Sequence, residues 1–352
     1  TIKIKDMIDQ LLATANQLMA NNKGLIAMDE SIASIHRRFA NAGIPQTLES
    51  RRAWRELIVT APGIAEGLNG AILFEETIHE STVHNVPFVN ILRDLGITPG
   101  IKVDQGTVDL AGFPSEKITL GLDNLRERLK EFSRLGMRFA KWRAVIKIEN
   151  DLPTDGAIHS NMHELARYAA LCQEAGILPI VEPEVLMDGD HDIQRCLTIT
   201  KHVLKNLFHQ LTDQQVHLRC LILKPNMVIS GLAAPQQATI DEVAAATIDC
   251  LLECVPAIVP GIAFLSGGQT PEMATAHLNA IHRLNKQLPW PVTFSFSRAI
   301  QQPALQRWAG KPGNVEAAQE LLQKRLQLLT LALRGEYRPI LEEGPWEGLE
   351  HA

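Results

Sequence analysis

The sequence contains few of the features that mark membrane or nucleic-acid-binding proteins. Among its 352 residues, no apolar run approaches the roughly 18 residues that a membrane-spanning helix requires. Lysine and arginine (34) do not outnumber aspartate and glutamate (40), and the net charge of −6 offers no basic surface to nucleic acid or an anionic membrane. We therefore expect no nucleic-acid partner and no membrane partner.

Cysteine is also scarce, and signs of a secreted or metal-binding protein are missing. The five cysteines form no Cys-x-x-Cys motif, which predicts buried thiols in a reducing compartment. The run "DGDHD" (188–192) suits a loop and a helix N-cap better than a metal site. The first residues predict an amphipathic helix without a continuous signal core. We expect a cytoplasmic protein, or a plastid stromal one if a transit peptide has been removed.

What the sequence does contain is a repeated alternation of short apolar runs with helical patterns. The apolar runs lie at 24–30, 70–76, 100–106, 138–148, 178–185, 220–227, 261–268 and 292–299. Strands that are apolar on both faces and alternate with helices indicate a parallel sheet covered by helices. Eight such units, with no dinucleotide fingerprint after the first strand, predict an α/β fold of the (β/α)8 TIM-barrel type.

The rest of the chain fits additions to this barrel. We expect an extra helix at the start and another at 314–334, and no linker divides the sequence. A single domain over 1–352 is therefore predicted. The segment 335–352 is rich in glycine, proline and acidic residues, which predicts a mobile C-terminal tail.

Ionisable and small polar residues concentrate at the carboxyl ends of the predicted strands. In chain order they are Asp29, Glu30, Glu75, Glu76, Lys102, Asp104, Lys141, Arg143, Glu182, Glu184, Lys224, Ser266, Gly267, Gly268 and Arg298. The carboxyl ends of barrel strands meet at one mouth, where active sites are built. The pattern therefore predicts one shared polar site.

Two lysines give this site a specific chemistry. Lys224 stands alone in the apolar run "CLILKPNM", and Lys141 lies in "FAKWR". Burial and a neighbouring cation both favour the neutral amine, lowering the pKa from its ordinary value of about 10.4. A neutral amine attacks a carbonyl to form a Schiff base. The alternative for Lys224 is a structural pair with a carboxylate inside the barrel.

Two groups of anion-binding residues flank these lysines. "LSGGQ" and "FSFSRA" combine glycine-rich backbone with serine and arginine at the ends of strands seven and eight, where such barrels bind phosphate. A second group, Arg38 and Lys102 with Ser31 and Ser34, lies elsewhere in the sequence. Two anion sites predict a substrate phosphorylated at both ends. Arg37 is predicted to lie on a solvated helix face.

Six motifs in consistent order resemble the class I fructose-bisphosphate aldolases. They are "DES", "GIKVDQG", "FAKWR", "PIVEPE", "LILKPNM" and "FLSGGQ", within a similarity that runs from about residue 20 to 337. The resemblance implies a (β/α)8 barrel, no metal, no cofactor and a homotetramer. It implies reversible cleavage of fructose 1,6-bisphosphate, a phosphorylated ketose, to the trioses dihydroxyacetone phosphate and glyceraldehyde 3-phosphate.

The resemblance also implies roles for individual residues. Lys224 resembles the Schiff-base lysine, Glu182 the acid/base of carbinolamine dehydration, and Asp29 the carboxylate that takes the C4 hydroxyl proton. Lys141, Glu184 and Arg143 match charges that support these groups. The C1-phosphate cradle corresponds to Ser266, Gly267, Gly268, Ser297 and Arg298. The far phosphate corresponds to Ser31, Ser34, Arg38 and Lys102.

This chain departs from the family pattern at two places. Family members commonly have glycine where Ser297 stands, and serine would be strained there if the position needed positive φ. Many members end in a tyrosine that assists proton exchange on the enamine, whereas this chain ends in Glu350-His351-Ala352. Two alternatives stay open: sedoheptulose 1,7-bisphosphate as an important or preferred substrate, and a catalytically impaired scaffold protein.

Overall fold

The computed structural model of the chain describes residues 2–284 and 287–343. Its ten strands are β1 Gly24–Met28, β2 Leu68–Leu73, β3 Thr98–Lys102, β4 Thr107–Asp109, β5 Lys117–Thr119, β6 Phe139–Ile146, β7 Leu178–Val185, β8 Ile222–Leu223, β9 Ile262–Phe264 and β10 Val292–Phe296. Eight of them close a parallel barrel in the order β1-β10-β9-β8-β7-β6-β3-β2. The predicted (β/α)8 barrel is confirmed, and each predicted apolar run overlaps one barrel strand.

Thirteen α-helices accompany these strands in the part of the chain that the structure describes. They are α1 Ile2–Leu18, α2 Ile32–Asn41, α3 Leu48–Val59, α4 Ile64–Gly67, α5 Glu75–Ile78, α6 Phe88–Asp94, α7 Leu125–Arg134, α8 Asp155–Glu174, α9 Ile193–Asp213, α10 Ile240–Cys254, α11 Pro271–Leu284, α12 Arg298–Trp308 and α13 Val315–Leu333. The predicted extra helices at the two ends of the barrel sequence are α1 and α13. None of the helices in the described residues is both long and apolar enough to cross a membrane.

The barrel is open to a substrate at only one end. Every residue of β1, β2, β7 and β10 is buried, as expected for strands covered by helices on one side and barrel core on the other. Leu11 and Leu18 of α1 pack with Leu25, Phe139 and Ile222, which lie near the beginnings of their strands. Helix α1 therefore covers the amino ends of the barrel and leaves the carboxyl ends to form the site.

Local capping explains several helix starts, including the "DGDHD" segment. The Asp192 side chain accepts a hydrogen bond from the Arg195 N–H and begins α9, so the N-cap prediction is confirmed. Ser31 caps α2 in the same way, by accepting from the Ser34 N–H. Within the described ranges, no three His, Cys, Asp or Glu side chains are grouped so that they could hold a metal ion.

Three elements differ from the sequence expectation. Strand β2 ends at Leu73, so Glu75 and Glu76 lie in the first turn of α5, where carboxylates are favourable to the helix dipole. An unpredicted antiparallel pair, β4 and β5, follows β3. Of the predicted tail, Tyr337 is buried and its hydroxyl donates to Glu342 at 2.9 Å. Residues 344–352 of that tail lie outside the described residues.

Candidate active site

Four barrel strands bring two lysines and two carboxylates into contact at the mouth. Lys141 lies on β6 and Glu182 on the neighbouring β7, while Asp29 and Lys224 directly follow β1 and β8. The Lys141 Nζ is 2.8 Å from Asp29 Oδ2 and 3.1 Å from Glu182 Oε2, and the Lys224 Nζ is 3.4 Å from Glu182 Oε1. All four side chains are buried. They form a continuous chain of charges in which Glu182 is shared by both lysines.

The two lysines respond to this environment in opposite directions. Burial lowers the pKa of Lys224, and the attraction of Glu182 is countered by repulsion from Lys141. Burial opposes the charge on Lys141 as well, but Asp29 and then Glu182 hold the pKa of that amine well above its ordinary value. For Asp29, burial would raise the pKa, yet Lys141 and Lys224 lower it to about 2. Lys141 is therefore the fixed cation, and Lys224 is the amine most easily deprotonated.

A second ion pair extends the charged mouth outward along the same two strands. Arg143 of β6 donates through Nε to Glu184 of β7. Burial of the guanidinium opposes its charge, but Glu184 raises the pKa of Arg143 above its ordinary value. Glu184 is buried, whereas 41% of the Arg143 side chain remains exposed. The pair places a positive charge at the rim beside Lys141.

The ends of β9 and β10 form a cradle of backbone donors. Among the described residues, the N–H groups of Ser266, Gly267, Ser297 and Arg298 donate to no protein acceptor. The Arg298 Nη2 donates to the Gly267 carbonyl at 2.5 Å, so the two strand ends touch. Unpaired N–H groups at the start of α12, next to an exposed arginine, suit a phosphate dianion.

The two glycines of "LSGG" lie close to the side chains of Met187 and Leu232. Gly267 has φ of +56°, and a Cβ there would lie 2.1 Å from Met187 Cε. The Gly268 N–H donates to the Met187 Sδ at 2.9 Å, and a Cβ on Gly268 would lie 2.8 Å from Leu232 Cδ1. A side chain at either position would make Met187 or Leu232 shift, and at Gly267 it would also be strained by the positive φ. Gly268 thus shapes the cradle, while its own N–H is engaged away from a phosphate.

On the opposite side of the lysines lies a cavity of about 560 Å³. Its lining includes the sequence-predicted Asp29, Ser31, Ser34, Lys102, Lys141 and Arg143. The Ser31 hydroxyl donates to the Ser34 hydroxyl at 3.1 Å at the start of α2, and Lys102 pairs with Asp104 at 2.7 Å. The cavity therefore combines a capped helix N-terminus with cations, as a second phosphate site requires.

The structure places Arg37 and Arg38 on different sides of α2. Arg37 lines this cavity, and its Nη2 donates to the Ser34 hydroxyl at 3.2 Å. Arg38 does not line it; its Nη1 instead contacts Glu30 at 2.5 Å and Gln301 at 3.3 Å, next to the end of β10. The residue predicted to serve the far phosphate is thus grouped with the cradle of β9 and β10.

Comparison with known proteins agrees with this geometry. The sequence model of the family "Fructose-bisphosphate aldolase class-I" matches residues 10–347 of the chain. The chain belongs to the class I fructose-bisphosphate aldolases. The family resemblance seen in the six motifs is confirmed.

Individual relatives of this family match over nearly their whole lengths. A probable fructose-bisphosphate aldolase class 1 of Xanthomonas campestris pv. campestris is 52% identical over 94% of this chain and 99% of its own. Fructose-bisphosphate aldolase 6, cytosolic, of Arabidopsis thaliana is 46% identical over 97% and 96%. The co-crystal structure of fructose-bisphosphate aldolase from Plasmodium falciparum with TRAP and a small-molecule inhibitor superposes with a TM-score of 0.93. It is 43% identical and covers 95% of this chain and 96% of that one.

The departure from the family at Ser297 carries no backbone strain. Ser297 has φ of −108°, outside the left-handed region, so the position does not require glycine. Its hydroxyl donates to Glu30 Oε1 at 2.8 Å. The conditional expectation of strain therefore does not apply, and the serine adds a contact that glycine lacks.

Two further residues of the cavity were not identified as site residues from the sequence. Arg37 and Arg128 both line the cavity, and Arg128 also donates to the Val103 carbonyl at 3.0 Å. The Ser295 hydroxyl, on β10, was missed as well, and it is buried without a hydrogen-bond partner among the described residues. The alternation in "FSFS" could have indicated Ser295, because residues two apart in a strand share a face. No sequence signal distinguished Arg128 from the other charges of α7.

Proposed function

We propose that this protein catalyses the reversible aldol cleavage of fructose 1,6-bisphosphate through a Schiff base on Lys224. The products are dihydroxyacetone phosphate and glyceraldehyde 3-phosphate. The observation that carries the proposal is the continuous contact chain from Lys224 through Glu182 and Lys141 to Asp29. Two anion-binding regions lie on either side of it, as a substrate phosphorylated at both ends requires.

Schiff-base formation is assigned to Lys224 and Glu182. The neutral Lys224 amine attacks the C2 carbonyl of the ketose and forms a C–N bond, giving a carbinolamine. Glu182, 3.4 Å from that amine, first accepts the proton that the Lys224 ammonium releases, and it then donates this proton to the C2 hydroxyl, which leaves as water. The resulting iminium carries a positive charge at the place where the Lys224 ammonium would have stood. Lys141 remains charged throughout because Asp29 and Glu182 both contact it.

Carbon–carbon cleavage is assigned to Asp29. Its low pKa keeps it ionised, and it accepts the proton of the C4 hydroxyl while the C3–C4 bond breaks. The bonding electrons pass into the iminium and form an enamine, and the C4 hydroxyl becomes the aldehyde of glyceraldehyde 3-phosphate. Protonation of the enamine at C3 and hydrolysis of the C–N bond then release dihydroxyacetone phosphate and restore Lys224.

Reductive trapping tests this mechanism directly. Sodium borohydride added with dihydroxyacetone phosphate should reduce the imine to a stable secondary amine. Peptide mass spectrometry should locate that adduct on the peptide containing Lys224. Activity should be unchanged after treatment with a chelator. An adduct on another lysine, or loss of activity with the chelator, would contradict the proposal.

We also propose a cytoplasmic homotetramer in which the whole chain forms one catalytic domain. The assembly rests on the family resemblance, and the location is supported by the cytosolic aldolase of Arabidopsis thaliana among the relatives. Sedimentation equilibrium should give four times the chain mass of 38.9 kDa. A mass of one or two chains would contradict the proposed assembly.

A further inference from the structure

Four side chains next to the cradle close a ring of hydrogen bonds. The Arg38 Nη1 donates to Glu30 Oε1 at 2.5 Å and to Gln301 Oε1 at 3.3 Å. The Gln301 Nε2 reaches the Ser297 hydroxyl at 3.4 Å, and that hydroxyl donates back to Glu30 Oε1 at 2.8 Å. The ring links the end of β1, helix α2 and the start of α12. We call these four residues the Arg38 ring.

Two members of the Arg38 ring, Glu30 and Gln301, also form hydrogen bonds with buried residues of the protein core. The Arg55 Nη1 donates to the other oxygen of Glu30, Oε2, at 2.7 Å. Gln301 donates to the Ala27 carbonyl at 2.7 Å and accepts from the Trp54 indole N–H at 3.3 Å. Arg55 and Gln301 are 2% and 0% exposed. Neither oxygen of Glu30 can move without breaking a contact to an arginine, so the ring fixes the Nη1 corner of the Arg38 guanidinium.

The remaining edge of Arg38 has no hydrogen-bond partner among the described residues. Its Nε and Nη2 are both buried and donate to no acceptor among the described residues. Buried donors of a charged group are costly to leave unpaired, so an acceptor is expected to complete this edge. The Nε and Nη2 of an arginine form a planar pair that matches two oxygens of a phosphate. Ser297 belongs to the ring and Arg298 follows it in the chain. Their backbone N–H groups, which donate to no acceptor among the described residues, therefore lie next to the ring.

We propose that Ser297 and Gln301 are positioning residues that hold Arg38 for the C1-phosphate in the cradle of β9 and β10. This inference rests on the proposed function, because it assumes a phosphorylated ketose in the mouth. Ser297 acts by occupying Glu30 Oε1 beside Arg38, which restricts the guanidinium to one orientation. Glycine, the usual family residue, has no hydroxyl to do so.

The test compares Ser297→Ala, which removes the hydroxyl, with Ser297→Thr, which keeps it. We expect Ser297→Ala to raise KM about 5- to 10-fold, the effect of one ordinary hydrogen bond, because the lost hydroxyl acts on the phosphate only through Arg38. The rise should be equal for fructose 1,6-bisphosphate and fructose 1-phosphate, since both carry the C1-phosphate. The kcat should change by less than about twofold, because the lysine–carboxylate group is untouched. Ser297→Thr should restore the parent KM.

Binding of inorganic phosphate provides a readout that does not depend on catalysis. Isothermal titration calorimetry should show Ser297→Ala binding phosphate about 5- to 10-fold more weakly than the parent and Ser297→Thr. If Ser297→Thr does not fold, Ser297→Gly should reproduce the Ser297→Ala values. A merely structural role would lower the melting temperature and leave both constants unchanged.

The outcomes separate the two claims. A parent protein that forms no Lys224 adduct in the trapping experiment refutes the proposed function, whatever the Ser297 variants do. A competent parent whose Ser297→Ala variant keeps its KM and phosphate affinity refutes the positioning role. A KM increase confined to fructose 1,6-bisphosphate also overturns it, because that result would assign Arg38 to the far phosphate.

Discussion

The two buried lysines of the mouth are equally inaccessible to water, yet only one is held as a permanent cation. Lys141 and Lys224 are 4% and 3% exposed, and both contact Glu182. Lys141 has a second carboxylate, Asp29, at 2.8 Å, whereas the nearest charges to Lys224 are Glu182 at 3.4 Å and Lys141 itself. Because burial is the same, the opposite directions in which the two pKa values move follow from the number of close carboxylates.

The largest expected effect comes from removing the Lys224 amine. Methionine has a side chain of similar length but no amine, so Lys224→Met cannot form a Schiff base and its kcat/KM should fall by at least about 10⁴-fold. A coupled assay of triose phosphate formation measures this. Circular dichroism should be unchanged, because Glu182 stays paired with Lys141. Lys130→Met, at an exposed lysine of α7, should retain full activity. More than about 1% residual activity in Lys224→Met would contradict the assignment.

Removing Lys141 should raise the pKa of Lys224, as expected for a lysine that is paired with carboxylates and has no cation beside it. In Lys141→Met, Glu182 and Asp29 act on Lys224 without the opposing cation, so its pKa rises and less neutral amine is present at pH 7. We expect kcat to fall about 10³-fold. The rate of borohydride trapping with dihydroxyacetone phosphate should show its midpoint at higher pH than in the parent. An unchanged midpoint would show that Lys141 does not control Lys224.

Asp29→Asn should separate the two halves of the reaction. The amide keeps the shape but cannot take the C4 proton, so cleavage of fructose 1,6-bisphosphate should fall about 10²-fold. Dihydroxyacetone phosphate has no C4, and its trapping on Lys224 should continue. Asp109→Asn, on the exposed β4, serves as the control and should cleave normally. Equal losses in trapping and cleavage would assign Asp29 to Schiff-base formation instead.

The smallest expected effect concerns stability in acid. The pKa of Asp29 lies at about 2 in the fold, against an ordinary value of 3.8. Its contribution is therefore complete above about pH 4 and is lost as the pH falls towards 2. Urea unfolding should give parent and Asp29→Asn free energies that differ by about 2 kcal/mol at pH 7. That difference should shrink below pH 4, and a constant difference would contradict the ion-pair origin.

The sequence was sufficient to predict the barrel and the lysine–carboxylate group, for a reason visible in the strands. Apolar runs end where charges begin, and parallel strands in a closed barrel bring all those ends to one mouth. Asp29, Lys141, Glu182 and Lys224 therefore had to meet, although 195 positions separate the first from the last. Burial and repulsion predicted a neutral amine in this pair and the family resemblance pointed to Lys224, and the distances give a physical reason for the difference between the two lysines.

The division of the mouth into two proposed phosphate regions was harder to predict from the sequence. Arg37 and Arg38 are consecutive on α2, so their side chains point about 100° apart, and only packing decides which one meets the cavity. Similarly, Ser297 contacts Glu30 from 267 positions away. Such pairings depend on side-chain directions across different elements, which hydrophobic periodicity does not encode.

The pairing of β1 with β10, through Leu25 with Ser295 and Ile26 with Phe296, makes the barrel close between nearly opposite ends of its sequence. During synthesis, a chain that has just reached Lys224 already contains every residue of the lysine–carboxylate group. It still lacks Ser297 and Gln301 of the Arg38 ring and the strand that seals the barrel. Long-range pairing of this kind is slow and comes late in folding. Of the parts of the mouth, a ribosome-bound chain therefore acquires the proposed phosphate cradle last, so we expect that the Lys224 amine cannot meet a correctly held sugar phosphate until the barrel is closed.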